Sequence, residues 1–266
     1  MREQVTGLLK SAYKSYQSRI NSNTNIGVLA IAKNEGRNIR EWVEHYQWQG
    51  VDSIFLIDNG STDNTRELIQ DYIDSGFVEY FYKPERHKQV AHYRAVFQKA
   101  RIPKKVGWLI MADMDEFWFS PSGSLKTAID SVSRDADLIY ANWLIFGSSG
   151  HVEHPESIRK GFLLRDPQPT RHCNTKWICR TRCIRTRYAL GIHKIRWVDS
   201  RRVVTDNENF RLNHYMIQSL QYFEEVKMPR GSCRTKTLDA FRNRDYFRQV
   251  DSLATYEDRT LSDMLP

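Results

Sequence analysis

The chain has 266 residues, 40% hydrophobic and 12% aromatic, which is enough to bury a sizeable core and excludes a disordered chain. Lysine and arginine number 40 against 32 acidic residues, and the net charge of +8 favours an anionic partner: a nucleotide phosphate, an acidic glycan, a membrane surface or nucleic acid. Cys173, Cys179, Cys183 and Cys233 lack the C-x2-C pairing of zinc sites and are too sparse for a disulfide scaffold, so reduced thiols and a cytoplasmic location are expected.

Residues 1–20 place Val5, Leu8, Leu9, Ala12, Tyr13 and Tyr16 at helical spacing before a polar linker, and residues 1–25 contain no apolar signal-peptide core. No later run approaches the roughly 20 apolar residues of a membrane span. A first strand is read at 26–32, followed by the loop Lys33-Asn34-Glu35-Gly36 and a helix with Ile39, Trp42, Val43 and Tyr46 on one face. The grammar repeats with a strand at 53–57, a turn at 58–63 and a helix at 65–73, for which Asn64 and Glu67 form a capping box. A third strand at 77–82 and a third helix at 89–100 come next. Strands alternating with helices predict an α/β fold with a mostly parallel, doubly wound sheet, whose ligands bind at the carboxyl ends of the strands. The loops at Asn34, Asp58 and Asp113 are therefore expected to line one crevice.

The stretch Trp108-Leu-Ile-Met-Ala-Asp-Met-Asp-Glu-Phe-Trp-Phe119 reads as a buried central strand ending in Asp113, Asp115 and Glu116. On a strand, positions i and i+2 share a face, so Asp113 and Asp115 would point the same way and repel unless a cation lay between them. Mg2+ or Mn2+ held by two carboxylates and a substrate diphosphate satisfies that requirement. The plainer reading is a strand that ends in solvated acids. Further on, a helix around Leu125, Ile129 and Val132 and a strand at 138–146 precede Gly147-Ser-Ser-Gly150. Strands are then expected at 161–165, 177–188 and 210–217, and a basic helical tail from 218. The division expected is 1–24 as helix and linker, 25–230 as catalytic domain and 231–266 as tail.

No G-x-G-x-x-G or Walker loop is present, which excludes the usual dehydrogenase and P-loop arrangements. A nucleotide could still be held by the loop after Ala32, with Asn34 and Glu35, and by Asp58 accepting from a base N–H. An Asx-turn at a strand end is the structural alternative for Asp58. His214 stands about a hundred residues after the acidic pair as a candidate third metal ligand, although a lone histidine on a strand is more often structural. His193 is a candidate substrate contact, with His151, His154 and His172 in weaker positions. Gln89, Arg94, Lys176 and Arg180 are candidates for phosphate or sugar.

Taken together, Ala30-Ile-Ala-Lys-Asn-Glu35, Ile57-Asp-Asn-Gly-Ser-Thr-Asp63 and Ala112-Asp-Met-Asp-Glu-Phe117 resemble the nucleotide-sugar glycosyltransferases of fold type A, the family 2-like group. Trp143-Leu-Ile-Phe-Gly-Ser-Ser-Gly-His151 and Asn213-His-Tyr215 are similar to its family 92 relatives in particular. The resemblance spans roughly 25–230 and implies a nucleoside diphosphate sugar donor, a uridine nucleotide by preference, and a glycan or glycolipid acceptor. It implies Mn2+ or Mg2+ bridging Asp115 to the diphosphate, Asp113 reaching the metal through water or touching the ribose, Asp58 reading the base and His214 as the later ligand. Inversion of the anomeric centre is implied as well. The chain departs from the processive synthases, whose Q-x-x-R-W motif is matched only by His193-Lys-Ile-Arg-Trp197, so one sugar per encounter is expected.

For the general base Glu153 is preferred over Asp166, though either could be a surface carboxylate. One rival is a sugar nucleotidyltransferase, which would need a Gly-rich, Arg-containing loop where Lys33-Asn-Glu-Gly36 stands. The other is a basic nucleic-acid-binding module, although no nucleic acid is expected as a partner on the preferred reading. Arg230, Arg234, Lys236, Arg242, Arg244 and Arg248 would allow the tail to meet an anionic membrane peripherally.

Overall fold

The computed structural model describes residues 24–168, 174–230 and 241–266. The expected N-terminal helix, together with Arg171, His172, Cys173, Cys233, Arg234 and Lys236, lies outside them. Cys179 and Cys183 are both free thiols. Among the described residues no helix is long and apolar enough to cross a membrane.

The first half is the expected parallel, doubly wound unit. Strands β1 (Ile26–Ala32), β2 (Ser53–Asp58), β3 (Val78–Tyr82) and β4 (Trp108–Met111) lie in the order β3-β2-β1-β4, every pair parallel. Alternation decides which side each residue serves. Val28, Ala30, Ile54, Leu56 and Ile110 join the cluster under helix α1 (Ile39–Trp48), where Ile39, Trp42, Val43 and Tyr46 are buried as the periodicity predicts. The intervening Leu29, Phe55, Ile57, Leu109 and Met111 face Tyr93, Val96 and Phe97 of another helix, Gln89–Lys99. The expected helix at 65–73 is shorter: a 3-10 turn at Glu67–Ile69 leads into α2 (Gln70–Asp74), and the longer helix becomes α3. The Asn64 box does not form, and the Asp63 carboxylate instead accepts from the amides of Gly36 and Thr65.

The stretch read as one central strand is two. After β4 the chain turns at Asp113, with the Glu116 amide donating to the Asp113 carbonyl at 3.1 Å, and β5 (Glu116–Phe119) leaves for the far edge of the sheet. Continuing from β4, the sheet runs through Thr175–Arg180, Leu138–Ile145 and Arg211–His214 to β5. In chain order these three are β8, β6 and β10, with the short β7 (Leu164–Arg165) and β9 (Val203–Thr205) between them in sequence. This half is mixed, because β8 is antiparallel to both β4 and β6 while β10 runs parallel to β6 and antiparallel to β5. Part of the segment expected as a strand at 161–165 is a helical turn, Ile158–Gly161, whose first amides are capped by Ser157 and Glu41.

Residues 241–266 pack on this body. In the helix Arg244–Leu253, Phe247 and Val250 cluster with Ile145, Ile217 and Phe223, and Asp251 accepts from the Ser148 amide at 2.6 Å. Asp258 receives Arg165 at 2.7 Å and Arg211 at 2.5 Å. The contact depends on Gly147, where an added Cβ would lie 2.5 Å from that of Ala254 and 2.8 Å from Asp251 Oδ1. Gly147→Val is expected to cost about 1–3 kcal/mol through overpacking, seen as an earlier urea midpoint with unchanged slope.

His45 on α1 is fully buried, donating Nε2–H to the Trp118 carbonyl at 2.7 Å. Burial, with the charge of Arg159 adding to it, lowers its pKa to about 3, and burial with Arg37 lowers that of His154 to about 4. Between those values and 6.5 the unfolded chain binds protons that the folded chain refuses. The stabilisation is complete above pH 6.5 and is lost as pH falls toward 4 and then 3. Thermal midpoints should therefore drop steadily on acidification from pH 7 to pH 5, and His45→Gln should reduce that slope by about one proton.

Candidate active site

The acidic turn is gripped from α1. Trp42 Nε1 donates to the carbonyls of Asp113 and Glu116, both at 3.1 Å, and the Tyr46 hydroxyl donates to the Glu116 carbonyl at 3.0 Å. From within, the Asp113 amide donates to Glu116 Oε2 at 2.9 Å. The triplet is a turn and not a strand, and both of its aspartates line one cavity. They diverge to separate lysines.

Asp113 Oδ2 takes Lys176 Nζ at 2.7 Å, and the same ammonium lies 3.3 Å from Glu116 Oε2. Lys176 and Glu116 are completely buried. Burial raises the Glu116 pKa to about 8 against the pull of Lys176, with Asp113 and Asp115 raising it further. Asp115 Oδ2 takes Lys227 Nζ at 2.7 Å, and its Oδ1 stands 3.5 Å from His214 Nε2. Burial works against ionisation of Asp115, but Lys227 and His214 together hold its pKa well below the usual carboxylate range. Lys227 also donates to the carbonyls of Tyr215 and Met216.

Lys227 ends a wide π-type turn, Phe223–Lys227, between the helical segments Leu220–Tyr222 and Met228–Arg230. From the same helical stretch Arg230 pairs with the buried Glu35 and donates to the Lys33 carbonyl at 3.0 Å, while the Tyr222 hydroxyl donates to Glu35 at 2.5 Å. The loop after β1 is thus tied to the same segment that neutralises Asp115. Sequence reasoning overlooked Lys227. The available signal was its spacing, three residues before Arg230 after two glutamates, which puts two cations on one side of a helix.

A cavity of about 340 Å3 opens over the turn, within the size of small-molecule sites. Ala32, Glu35, Gln89, Asp113, Asp115 and His214 line it, as do Arg86, Arg230 and Arg242. Trp143 and His193 line it as well. Trp143 sits 4.3 Å from the His214 ring and 5.3 Å from that of His193, centroid to centroid.

The remaining sequence candidates lie off this lining. Asn34, at φ 51°, faces an adjoining groove and accepts from the Thr62 amide. Asp58 is an Asx-turn residue, Oδ1 accepting from the Ser61 amide at 2.7 Å and Oδ2 from the Tyr80 hydroxyl. Arg94 donates to the carbonyls of Tyr188 and Leu190 and holds that segment. Lys176 supports the turn from beneath. Glu153 is exposed outside the cavity, on a loop whose neighbouring carbonyls at His151 and Val152 are bound by Leu220 and Gln221. Asp166 is buried away from the cavity and accepts from the Gln168 amide. Of the tail's described arginines, Arg230 and Arg242 line the cavity, while Arg244 and Arg248 are exposed and pair with Glu224 and Asp245.

A divalent cation is implied by the resemblance, and the donors here suit one. Asp115 supplies a carboxylate and His214 an imidazole on the same cavity wall, and the buried Nδ1 of His214 has no hydrogen-bond partner. Such ions are commonly held by few protein groups together with water and substrate phosphates. Among the described residues no group of three or more His, Cys, Asp or Glu side chains forms a complete protein cage.

The sequence model described as glycosyltransferase family 92 matches residues 31–251. The chain belongs to glycosyltransferase family 92. A family 92 protein of Ricinus communis is 26% identical over 205 residues, covering 74% of this chain and 36% of the relative. Another from Oryza sativa subsp. japonica is also 26% identical over 205 residues, covering 74% and 34%. The chain therefore spans little more than a third of these curated relatives. Among solved structures, S. aureus TarS aligns with TM-score 0.47 and 13% identity over 73% of this chain and 37% of that one. GalNAc-T7, crystallised with UDP, GalNAc and Mn2+, aligns with TM-score 0.44 and 15% identity over 73% and 44%.

Proposed function

We propose that this family 92 chain transfers one sugar from a nucleoside diphosphate sugar, a uridine nucleotide by preference, to a hydroxyl of a glycan or glycolipid, with inversion at the anomeric carbon. The observation that carries the reading is the ionised Asp115 beside His214 in a cavity whose walls also present Arg86, Arg230 and Arg242. A diphosphate needs fixed cations around it, and the arginines supply planar donors that match phosphate oxygens. Glu35 and Tyr222 hold Arg230 in place.

Asp115 and His214 would hold Mn2+ or Mg2+, which when bound supplies Lewis-acid stabilisation of the departing diphosphate. Asp113, fixed by Lys176, lies on the cavity wall where a ribose hydroxyl could donate to it. With Glu153 outside the cavity, His193 is the group proposed to take the acceptor proton. Its Nδ1–H donates to the Thr175 carbonyl at 3.1 Å, which sets the neutral tautomer with the lone pair on Nε2. Trp143 beside it offers an apolar ring against which a sugar can lie.

The test is release of nucleotide from a panel of UDP- and GDP-sugars, with and without a mixture of glycan and glycolipid acceptors. The proposal expects UDP from at least one UDP-sugar and faster release with acceptor. Pyrophosphate as the product would assign a nucleotidyltransferase instead, and silence across the panel would contradict the proposal.

A further inference from the structure

Away from the cavity mouth, the segment after β8 builds a surface that none of the chemistry above uses. Leu190 and Ile195 form an antiparallel bridge, and the Arg196 amide donates to the Ala189 carbonyl at 3.1 Å. The strand pairing ends there, because Arg187–Ala189 is a 3-10 turn, and Tyr188 and Trp197 flank the bridge in sequence. Both are exposed, by 53% and 66%, and Trp197 is held at φ 64°. Positive φ is a genuine outlier for so bulky a side chain, and strain of this kind persists where surrounding structure enforces it.

The enforcement is visible. Trp177 Nε1 donates to the Gly191 carbonyl at 2.9 Å, His193 is tied to Thr175, and the Ile195 amide donates to the Tyr140 hydroxyl at 3.2 Å. Arg94 and Arg187 lie against the Tyr188 ring at 5.5 and 5.1 Å. The segment that carries the two rings is predominantly cationic, with the exposed Asp199, paired with Arg201 at 2.7 Å, just beyond it. Residues 185–198 include Arg185, Arg187, Lys194 and Arg196 and no acid. Arg187 bonds Gln98 of α3, which brings the exposed Arg101 and Lys104 of the next turn alongside.

We propose that this hairpin face docks the protein on an anionic lipid bilayer. Indole and phenol rings standing out among lysines and arginines are the combination that lies at a headgroup boundary, the rings in the interface and the cations on lipid phosphates. The same hairpin carries Ile192 and His193 into the cavity wall, so docking would bring the acceptor side of the cavity toward the membrane. This inference stands apart from the donor reading, and either can fail alone.

The experiment is co-sedimentation of the full chain with phosphatidylcholine vesicles, with and without phosphatidylglycerol. Binding is expected only to the anionic vesicles. Arg196→Ala should weaken partition about fivefold, and Trp197→Gly about tenfold. Trp197→Gly should also raise the thermal midpoint, because glycine accepts the positive φ that strains tryptophan, so its loss of binding cannot be a loss of folding. Nucleotide binding should be unchanged in both variants. Equal sedimentation with neutral vesicles, or variants that bind as tightly as the parent chain, would overturn the proposal. So would retention on an acidic polysaccharide or duplex DNA that depends on Arg196 and Trp197 while vesicles are ignored.

Discussion

Asp115→Asn is expected to lower sugar transfer by about a thousandfold, the rate equivalent of losing roughly 4 kcal/mol of charge stabilisation at the leaving diphosphate. The change keeps the side chain's shape but removes the charge that pairs with Lys227 at 2.7 Å. Lys227 is buried, so the variant should also lose about 2–4 kcal/mol of stability, because the ammonium loses its counter-charge and keeps neutral acceptors such as the Tyr215 and Met216 carbonyls. The two losses separate in a second variant. Asp115→Asn combined with Lys227→Met removes both charges and should regain most of the stability while transfer stays lost. If instead the double variant regained transfer, Asp115 would be a structural partner of Lys227 and no more.

Arg230→Met should be the most destabilising single change in the cavity wall, at about 3–5 kcal/mol. It strands Glu35, which is buried and left with the Tyr222 hydroxyl as its remaining described donor. It also cuts the helical stretch from the Lys33 carbonyl, freeing the loop after β1 that the cavity shares. Pairing it with Glu35→Gln should recover at least half of the loss in urea denaturation, since no buried charge then lacks a partner. Transfer should remain impaired in the pair, because the guanidinium proposed to meet the diphosphate is absent from both variants. No recovery in the pair would show that the loss arises from packing of the arginine stem.

The parallel half of the fold was legible because its signals are local. The run at 26–32 is a continuous apolar strand bounded by polar loops, and Ile39, Trp42, Val43 and Tyr46 repeat at the helical period, so both elements stand where expected. The acidic stretch misled for a related reason. Apolar residues flank Asp113 to Asp115 on both sides, and local pattern cannot register that Trp42 and Tyr46, seventy residues earlier, hold the backbone there in a turn. The strand-end position of Asp58 made its Asx-turn legible, and its oxygens accept from Ser61 and Tyr80. His214 stood as a candidate from its residue type, but no local pattern could place it beside Asp115 across a hundred residues of sequence. Spacing put Lys227 and Arg230 on one side of a helix but did not show that this side faces inward. A cation on a predicted helix reads as solvated, and the π-type turn that aims Lys227 inward leaves no mark in composition.

The central claim is that the cavity over the acidic turn binds a nucleoside diphosphate through Asp115 with a divalent cation. Calorimetric titration of UDP, with GDP as control, in Mn2+ and then in EDTA, on the parent chain and on Asp115→Ala, addresses it most directly. The account predicts micromolar-range UDP binding in Mn2+ that falls at least about tenfold in EDTA and in the variant, about 1.4 kcal/mol or more, with GDP weaker throughout. UDP binding that is indifferent to both the cation and Asp115, or no nucleotide binding under any condition, would contradict it.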